Sequence, residues 1–367
     1  MKAAILYQDR DIRPGQAPDP RVGPGEVLIN SRYAGICGTD LHIYRGEFHE
    51  RVTYPAILGH EFGGIVEEVG APVGAHGRAP LRVGERVVVD PILSCHHCPA
   101  CLSGHLNACQ QLKLLGIEYG GGFGQYVVAP ADRVYPLPEG IPLAHAPMVE
   151  MYSLGHHVLQ RGRVQPGESV AILGAGKLGL SILDVLCHSA SPALTMAIDL
   201  QPSRLEIARR QGSDYALDLR DEDPVEKALE ITGGVGLDCV IEAVGHYHEV
   251  EGREGPLAGP LASAVKMIRN GGRIVTLGLG EQTTAVHFKT LVLKEAEIIA
   301  SRVTLGEFPR AMRLMARGLL HPELLITNTV PLAEVTAAFG RVDGEDPETL
   351  KVVLDLEAGE GEDDALS

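Results

Sequence analysis

Up to about residue 150, short apolar runs are broken by glycine and proline. Val27-Leu28-Ile29 and Arg86-Val87-Val88-Val89 are two of them, and such runs between turn residues predict strands of an irregular, mostly β domain. From about residue 166 the pattern changes. Apolar runs at 169–173, 194–198, 237–241 and 273–277 alternate with stretches whose apolar residues recur at helical spacing. Such runs alternating with helical stretches predict a parallel sheet, which is a doubly wound α/β domain. Ser203 and Glu206 stand at capping-box spacing after Pro202 and predict a helix over 204–211. After Ser301 come a helical stretch at 309–318 and a β-like stretch at 350–356. These are too little for a third core and are expected to pack back on the first domain. The predicted division is 1–152 with 301–367 for the mostly β domain, and 153–300 for the α/β domain.

Two domains also suit the length, because 367 residues exceed what one compact core usually holds. Apolar residues make up 45% of the chain and charged residues 22%, with no apolar run approaching a membrane span. Charge returns too early at the N-terminus for a secretory signal, so the expected location is the cytoplasm. A formal charge of -16 without a Lys/Arg cluster argues against nucleic acid and anionic membranes as partners and leaves a small molecule.

The run 169–173 leads into Gly174-Ala175-Gly176-Lys177-Leu178-Gly179 and then a helical stretch. Strand, glycine turn and helix in that order form the setting of a dinucleotide site. Gly174 permits the turn, Gly176 lets the backbone approach a pyrophosphate, and the helix that opens near Lys177 and Leu178 supplies amide donors. Asp199 ends the next apolar run, 20 residues past Gly179. A carboxylate there accepts from both adenosine ribose hydroxyls and repels a 2′-phosphate, so NAD is expected over NADP, although Arg204 nearby could tolerate a phosphate.

Four of the seven cysteines, Cys95, Cys98, Cys101 and Cys109, follow the spacing C-x2-C-x2-C-x7-C. In a reducing compartment this predicts a closed tetrahedral zinc site with a structural role. His96, His97 and His105 are expected to be exposed loop residues. Cys187 and Cys239 lie in apolar stretches and are expected to be buried thiols.

A second constellation is spread along the chain: Gly35-Ile36-Cys37-Gly38-Thr39-Asp40-Leu41-His42, then Gly59-His60-Glu61 with Gly64 and Gly70, then Glu150. These segments resemble the zinc-containing medium-chain dehydrogenase/reductase family, whose signature G-H-E-x2-G-x5-G stands complete at 59–70. The likeness covers nearly the whole chain. It implies a GroES-like catalytic domain beside the Rossmann domain, two zinc ions per chain, and a homodimer or homotetramer. It makes Cys37, His60 and Glu150 ligands of a catalytic zinc, with Glu61 able to exchange with water or substrate. Three protein ligands and an open position would let the metal acidify an alcohol, whose carbon gives hydride to NAD. The Thr39 hydroxyl, the cofactor's ribose hydroxyl and His42 then resemble the family's relay of the proton to solvent.

Lys294 to Arg302 and Phe308-Pro309 resemble the polyol and sugar-acid branch of that family. There Arg302 would lie beside the active site, pairing with Glu150 or binding a substrate hydroxyl or carboxylate. L-threonine 3-dehydrogenases and simple secondary-alcohol dehydrogenases share part of the pattern and are the enzymatic alternatives. A catalytically silent protein that binds NAD and zinc is the alternative of another class. The stretch 246–256 is longer than the branch leads one to expect, as is 74–80, and the acidic residues 357–367 are expected to fray.

Overall fold

A computed structural model describes residues 1–71, 80–245, 259–279, 284–344 and 346–358. The long stretch 246–256, positions 74–79 and the tail from 359 lie outside the described residues. The chain gathers into two units: Met1–Glu150 with Thr304–Gly318 and the described residues from Pro322 on, and Met151–Val303 with Leu319–His321. No described helix is long and apolar enough to cross a membrane.

The first unit is built on a seven-stranded sheet. Ile326–Pro331, Lys351–Asp355, Glu26–Gly35, Glu61–Val69, Arg86–Val89 and Val134–Pro136 lie side by side in that order, and Tyr126–Pro130 also pairs with Glu26–Gly35. All pairings are antiparallel except that of Ile326–Pro331 with Lys351–Asp355. Alternation along Glu26–Gly35 sends Val27 and Ile29 inward, and after the register shift between Ser31 and Tyr33 Ala34 joins them in a core with Phe62, Val87, Phe123, Phe339, Val352 and Leu354. The mostly β pattern therefore folds as the GroES-like arrangement expected.

In the second unit six parallel strands form one sheet in the order Tyr215–Asp218, Leu194–Asp199, Ser169–Leu173, Leu237–Glu242, Ile268–Thr276, Glu297–Ala300. The order reverses beside Ser169–Leu173, and in open α/β sheets ligands bind at the carboxyl ends of strands at such a switch point. The glycine turn follows that strand directly. Helix Lys177–Ser189 begins earlier than its apolar spacing alone suggests, with Gly176 at its N-cap.

One local expectation is corrected. The helix after Asp199 runs Pro202–Arg210 with Gln201 at the N-cap, and no side chain caps it. Pro202 takes the first helical position, where its fixed φ suits the helix and its missing N–H is no loss, so Ser203 already lies within the first turn.

Candidate active site

Cys37 ends the loop after Glu26–Gly35 and is the N-cap of helix Gly38–Tyr44. Asp40, one turn on, accepts a hydrogen bond from the Cys37 backbone N–H at 2.7 Å and fixes the entry of the helix. His60 and Glu61 open the neighbouring strand, and Gly35 is paired with Glu61 in register. Gly59 makes the approach possible: its φ is +93°, and a Cβ there would stand 2.5 Å from the Phe123 ring.

This local folding brings one possible ligand atom each from Cys37, His60 and Glu61 within 4.8 Å of one another. His60 and Glu61 are buried. Burial alone would push the His60 imidazole down, but Cys37 and Asp40 face it and hold it well above its ordinary value. His60 Nδ1 and Asp40 Oδ1 are 3.7 Å apart, and both are buried polar atoms without a hydrogen-bond partner. The protein atoms thus favour a positive charge here, and thiolate, imidazole and carboxylate are the donor set that suits zinc. A carboxylate behind a ligating histidine is the usual means of orienting its ring, which is the place Asp40 occupies.

Glu150 is not in that group of three. It lies buried in the first turn of helix Met148–Arg161, where burial raises its carboxyl to about 7 against the opposing charge of His60. Thr39 and His42 stand one turn apart on helix Gly38–Tyr44 and share a face. Thr39 is half-buried, and His42 reaches solvent beside Glu47, to which its Nδ1 is hydrogen-bonded.

Lys351 escaped sequence reasoning. It is fully buried, pairs with Glu61, and donates to the carbonyl of Ile36 at 3.2 Å. Burial pushes its ammonium down to about 8 while Cys37 and Asp40 draw it up. The available signal was a lysine opening the apolar run Lys351-Val352-Val353-Leu354. Asp40 sat within a segment already singled out, and its signal was its position three residues after Cys37.

The four other cysteines form a lobe with helix Pro99–Leu102 and the short hairpin of Ile92–Leu93 and Lys113–Leu114. Their sulfur atoms all lie within 4.8 Å of one another. Backbone N–H groups of Cys98 and Gln111 point at Cys95 Sγ and Cys109 Sγ, at 3.4 and 3.3 Å. Hydrogen bonds from Gln110 and Cys101 draw the Cys98 thiol down to about 6, while burial and the neighbouring sulfurs push Cys101 up to about 12. Four thiols this close cannot all ionise unaided, whereas a zinc ion would take all four as thiolates. His96, His97 and His105 are exposed as expected; Cys239 is buried, and Cys187 is half-buried.

In the second unit Gly179 is where a side chain is least tolerable: its Cβ would fall 1.8 Å from the carbonyl oxygen of Gly174. At Gly176 a Cβ would meet nothing within 4 Å, so that face of the turn is open. Lys177 and Leu178, both half-buried, begin the helix. Asp199 Oδ2 accepts from Ala175 N–H at 2.7 Å, and Oδ1 accepts from Leu200 and Gln201 N–H at 2.8 and 2.9 Å. The carboxylate therefore ties the glycine turn to the end of the second strand. Arg204 Nη1 lies 3.9 Å from Asp199 Oδ1. Arg302 is exposed just after strand Glu297–Ala300.

Residues 23–139 match the alcohol dehydrogenase GroES-like domain and residues 179–317 the zinc-binding dehydrogenase family. Sorbitol dehydrogenase of Bacillus subtilis is 32% identical over 359 residues, covering 96% of this chain and 97% of that one. L-galactonate-5-dehydrogenase of Escherichia coli is 30% identical over 355 residues, covering 96% and 98%. Among solved structures, the rspB alcohol dehydrogenase of Escherichia coli CFT073 complexed with NADH superposes with a TM-score of 0.86 at 32% identity, covering 97% of this chain and 99% of that one. The chain belongs to the zinc-containing medium-chain dehydrogenase/reductase family. It is an enzyme of the zinc-dependent alcohol dehydrogenase type, acting on a small molecule.

Proposed function

We propose that this enzyme oxidises a secondary hydroxyl of a polyol or sugar acid to the ketone and passes the hydride to NAD. The observation that carries the reading is the gathering of Cys37, His60 and Glu61 within 4.8 Å around two orphaned buried polar atoms. Zinc held by Cys37 and His60, with Glu61 or Glu150 as the carboxylate, supplies a Lewis acid that makes an alcohol proton easy to remove. Asp40 keeps the His60 ring in place. Thr39 would accept the alcohol proton as its own hydroxyl proton passes to the ribose hydroxyl of NAD, and from there His42 would carry a proton toward solvent, helped by Glu47 at the exposed end of the relay. The open face at Gly176 and the amides that begin helix Lys177–Ser189 bind the pyrophosphate. Asp199 takes the ribose hydroxyls, and Arg302 offers a cation to a substrate hydroxyl or carboxylate. The polyol and sugar-acid class rests on the sorbitol and galactonate relatives.

The second unit also supports self-association. Strand Glu297–Ala300 ends its sheet, and Phe288, Val292, Leu293 and Ile298 near it are exposed. Apolar groups beside an open strand edge suit a two-fold contact with a second copy, giving a homodimer or a tetramer built from it.

The reading is tested by following NAD reduction by zinc-loaded enzyme with polyols, hexonates, threonine and simple secondary alcohols. Turnover of a polyol or hexonate that a chelator abolishes is the expected result. Turnover of threonine alone, or NAD binding without any turnover, would replace this reading. Asp199→Ala provides a separate test of cofactor choice. Loss of charge-assisted hydrogen bonds worth about 1.5–3 kcal/mol should reduce the NAD over NADP preference in kcat/KM by roughly ten- to hundredfold. If both cofactors lose equally, Asp199 serves only to hold the glycine turn.

A further inference from the structure

We propose that Asp184, His188 and His321 form a further metal site, within the second unit, for a late first-row divalent cation such as zinc. The site is separate from both zinc groups above and independent of the proposed reaction. Asp184 and His188 lie four residues apart on helix Lys177–Ser189 and so share one face. His321 comes from Leu319–His321, a short segment that belongs to the second unit although the chain on either side belongs to the first. Their ligand atoms all lie within 4.8 Å of one another: Asp184 Oδ1 is 2.9 Å from His321 Nδ1 and 3.1 Å from His188 Nδ1. Zinc bonds of about 2.1 Å at tetrahedral angles separate ligand atoms by about 3.4 Å, so an outward shift of a few tenths of an ångström would admit the ion.

The carboxylate is prepared on its far side. Oδ2 accepts the Tyr152 hydroxyl at 2.9 Å and the His321 backbone N–H at 2.7 Å, and this leaves Oδ1 aimed between the two rings. Such second contacts are what orient a ligating carboxylate. The Asp184 side chain is 0% exposed, whereas those of His188 and His321 are 28% and 32% exposed. The ion would therefore sit against a buried anion with a side open to water as its fourth ligand. His188 Nδ1 also stands 2.9 Å from the Asp184 carbonyl, so the ring protons now directed at Asp184 oxygens are those a cation would displace. Two imidazoles with one carboxylate select zinc, cobalt or nickel over magnesium and calcium.

The test is zinc stoichiometry on the full chain, equilibrated with zinc ions, desalted and analysed by elemental mass spectrometry. Wild type is expected to hold one zinc per chain more than His188→Gln/His321→Gln, while the variant reduces NAD with the same substrate at an unchanged rate. His188→Gln alone, at a partly exposed position, should weaken uptake of that zinc by at least tenfold if the double variant fails to fold. Competing magnesium should not displace it. Equal zinc content in wild type and either variant, or displacement by magnesium at comparable concentration, would overturn the proposal. Because the readout counts metal, a wrong assignment of the reaction would leave this result unchanged.

Discussion

His60→Ala is expected to lower kcat/KM for alcohol oxidation by about a thousandfold, because Lewis-acid stabilisation worth several kcal/mol, about 4, is lost with the ligand. NAD affinity, measured by fluorescence titration, should stay within about twofold, since the glycine turn and Asp199 belong to the other unit. The bound zinc should fall by one per chain. An enzyme that kept activity within tenfold of wild type after losing that zinc would remove the metal from the mechanism. The prediction separates chemistry from cofactor binding because different side chains carry the two.

Lys351→Met should have the largest effect on stability. Lys351 and Glu61 form a pair with both members buried, and deleting the cation leaves an uncompensated carboxylate. Breaking such a pair typically costs about 3–5 kcal/mol, or roughly 6–20 °C in Tm for a unit of this size. Glu61→Gln/Lys351→Met should recover part of the loss, because it removes the stranded charge as well. Thermal unfolding followed by circular dichroism checks both variants. If Lys351→Met melts with wild type, the pair contributes nothing to the fold, and Lys351 would have to act on the metal neighbourhood alone. Zinc content of the same samples distinguishes the two roles.

The parallel sheet was legible because its central strands Ser169–Leu173, Leu194–Asp199 and Leu237–Glu242 are buried on both faces. The apolar runs at 169–173 and 194–198 coincide with Ser169–Leu173 and nearly with Leu194–Asp199. The thiolate lobe was legible because its ligands are close in sequence as well as in space. The first unit was less so. Nothing local in Lys351–Asp355 indicates that it lies beside Glu26–Gly35, since antiparallel neighbours far apart in sequence leave no trace in periodicity. Lys351 was missed for that reason, as it meets Glu61 only through the pairing of distant strands. The helix start at Pro202 was misplaced because proline at the first position outweighed the serine and glutamate that follow. Asp184, His188 and His321 gave half a signal: the first two are at helical spacing, but the third arrives from a distant turn.

The placement of Lys351–Asp355 inside the first unit's sheet also bears on how the chain is made. Unit two is assembled almost wholly from one continuous stretch, so its sheet can close while later residues are still being synthesised. The other sheet holds a gap between Ile326–Pro331 and Glu26–Gly35 until residues 351–355 emerge. During that interval Glu61 has no lysine beside it, and apolar strand edges stand open to neighbouring chains, a condition that invites aggregation. Ribosome-bound chains stalled before residue 351 should therefore resist protease across the nucleotide-binding half and remain more readily cleaved at residues 33–35, the part of Glu26–Gly35 that pairs with Lys351–Asp355.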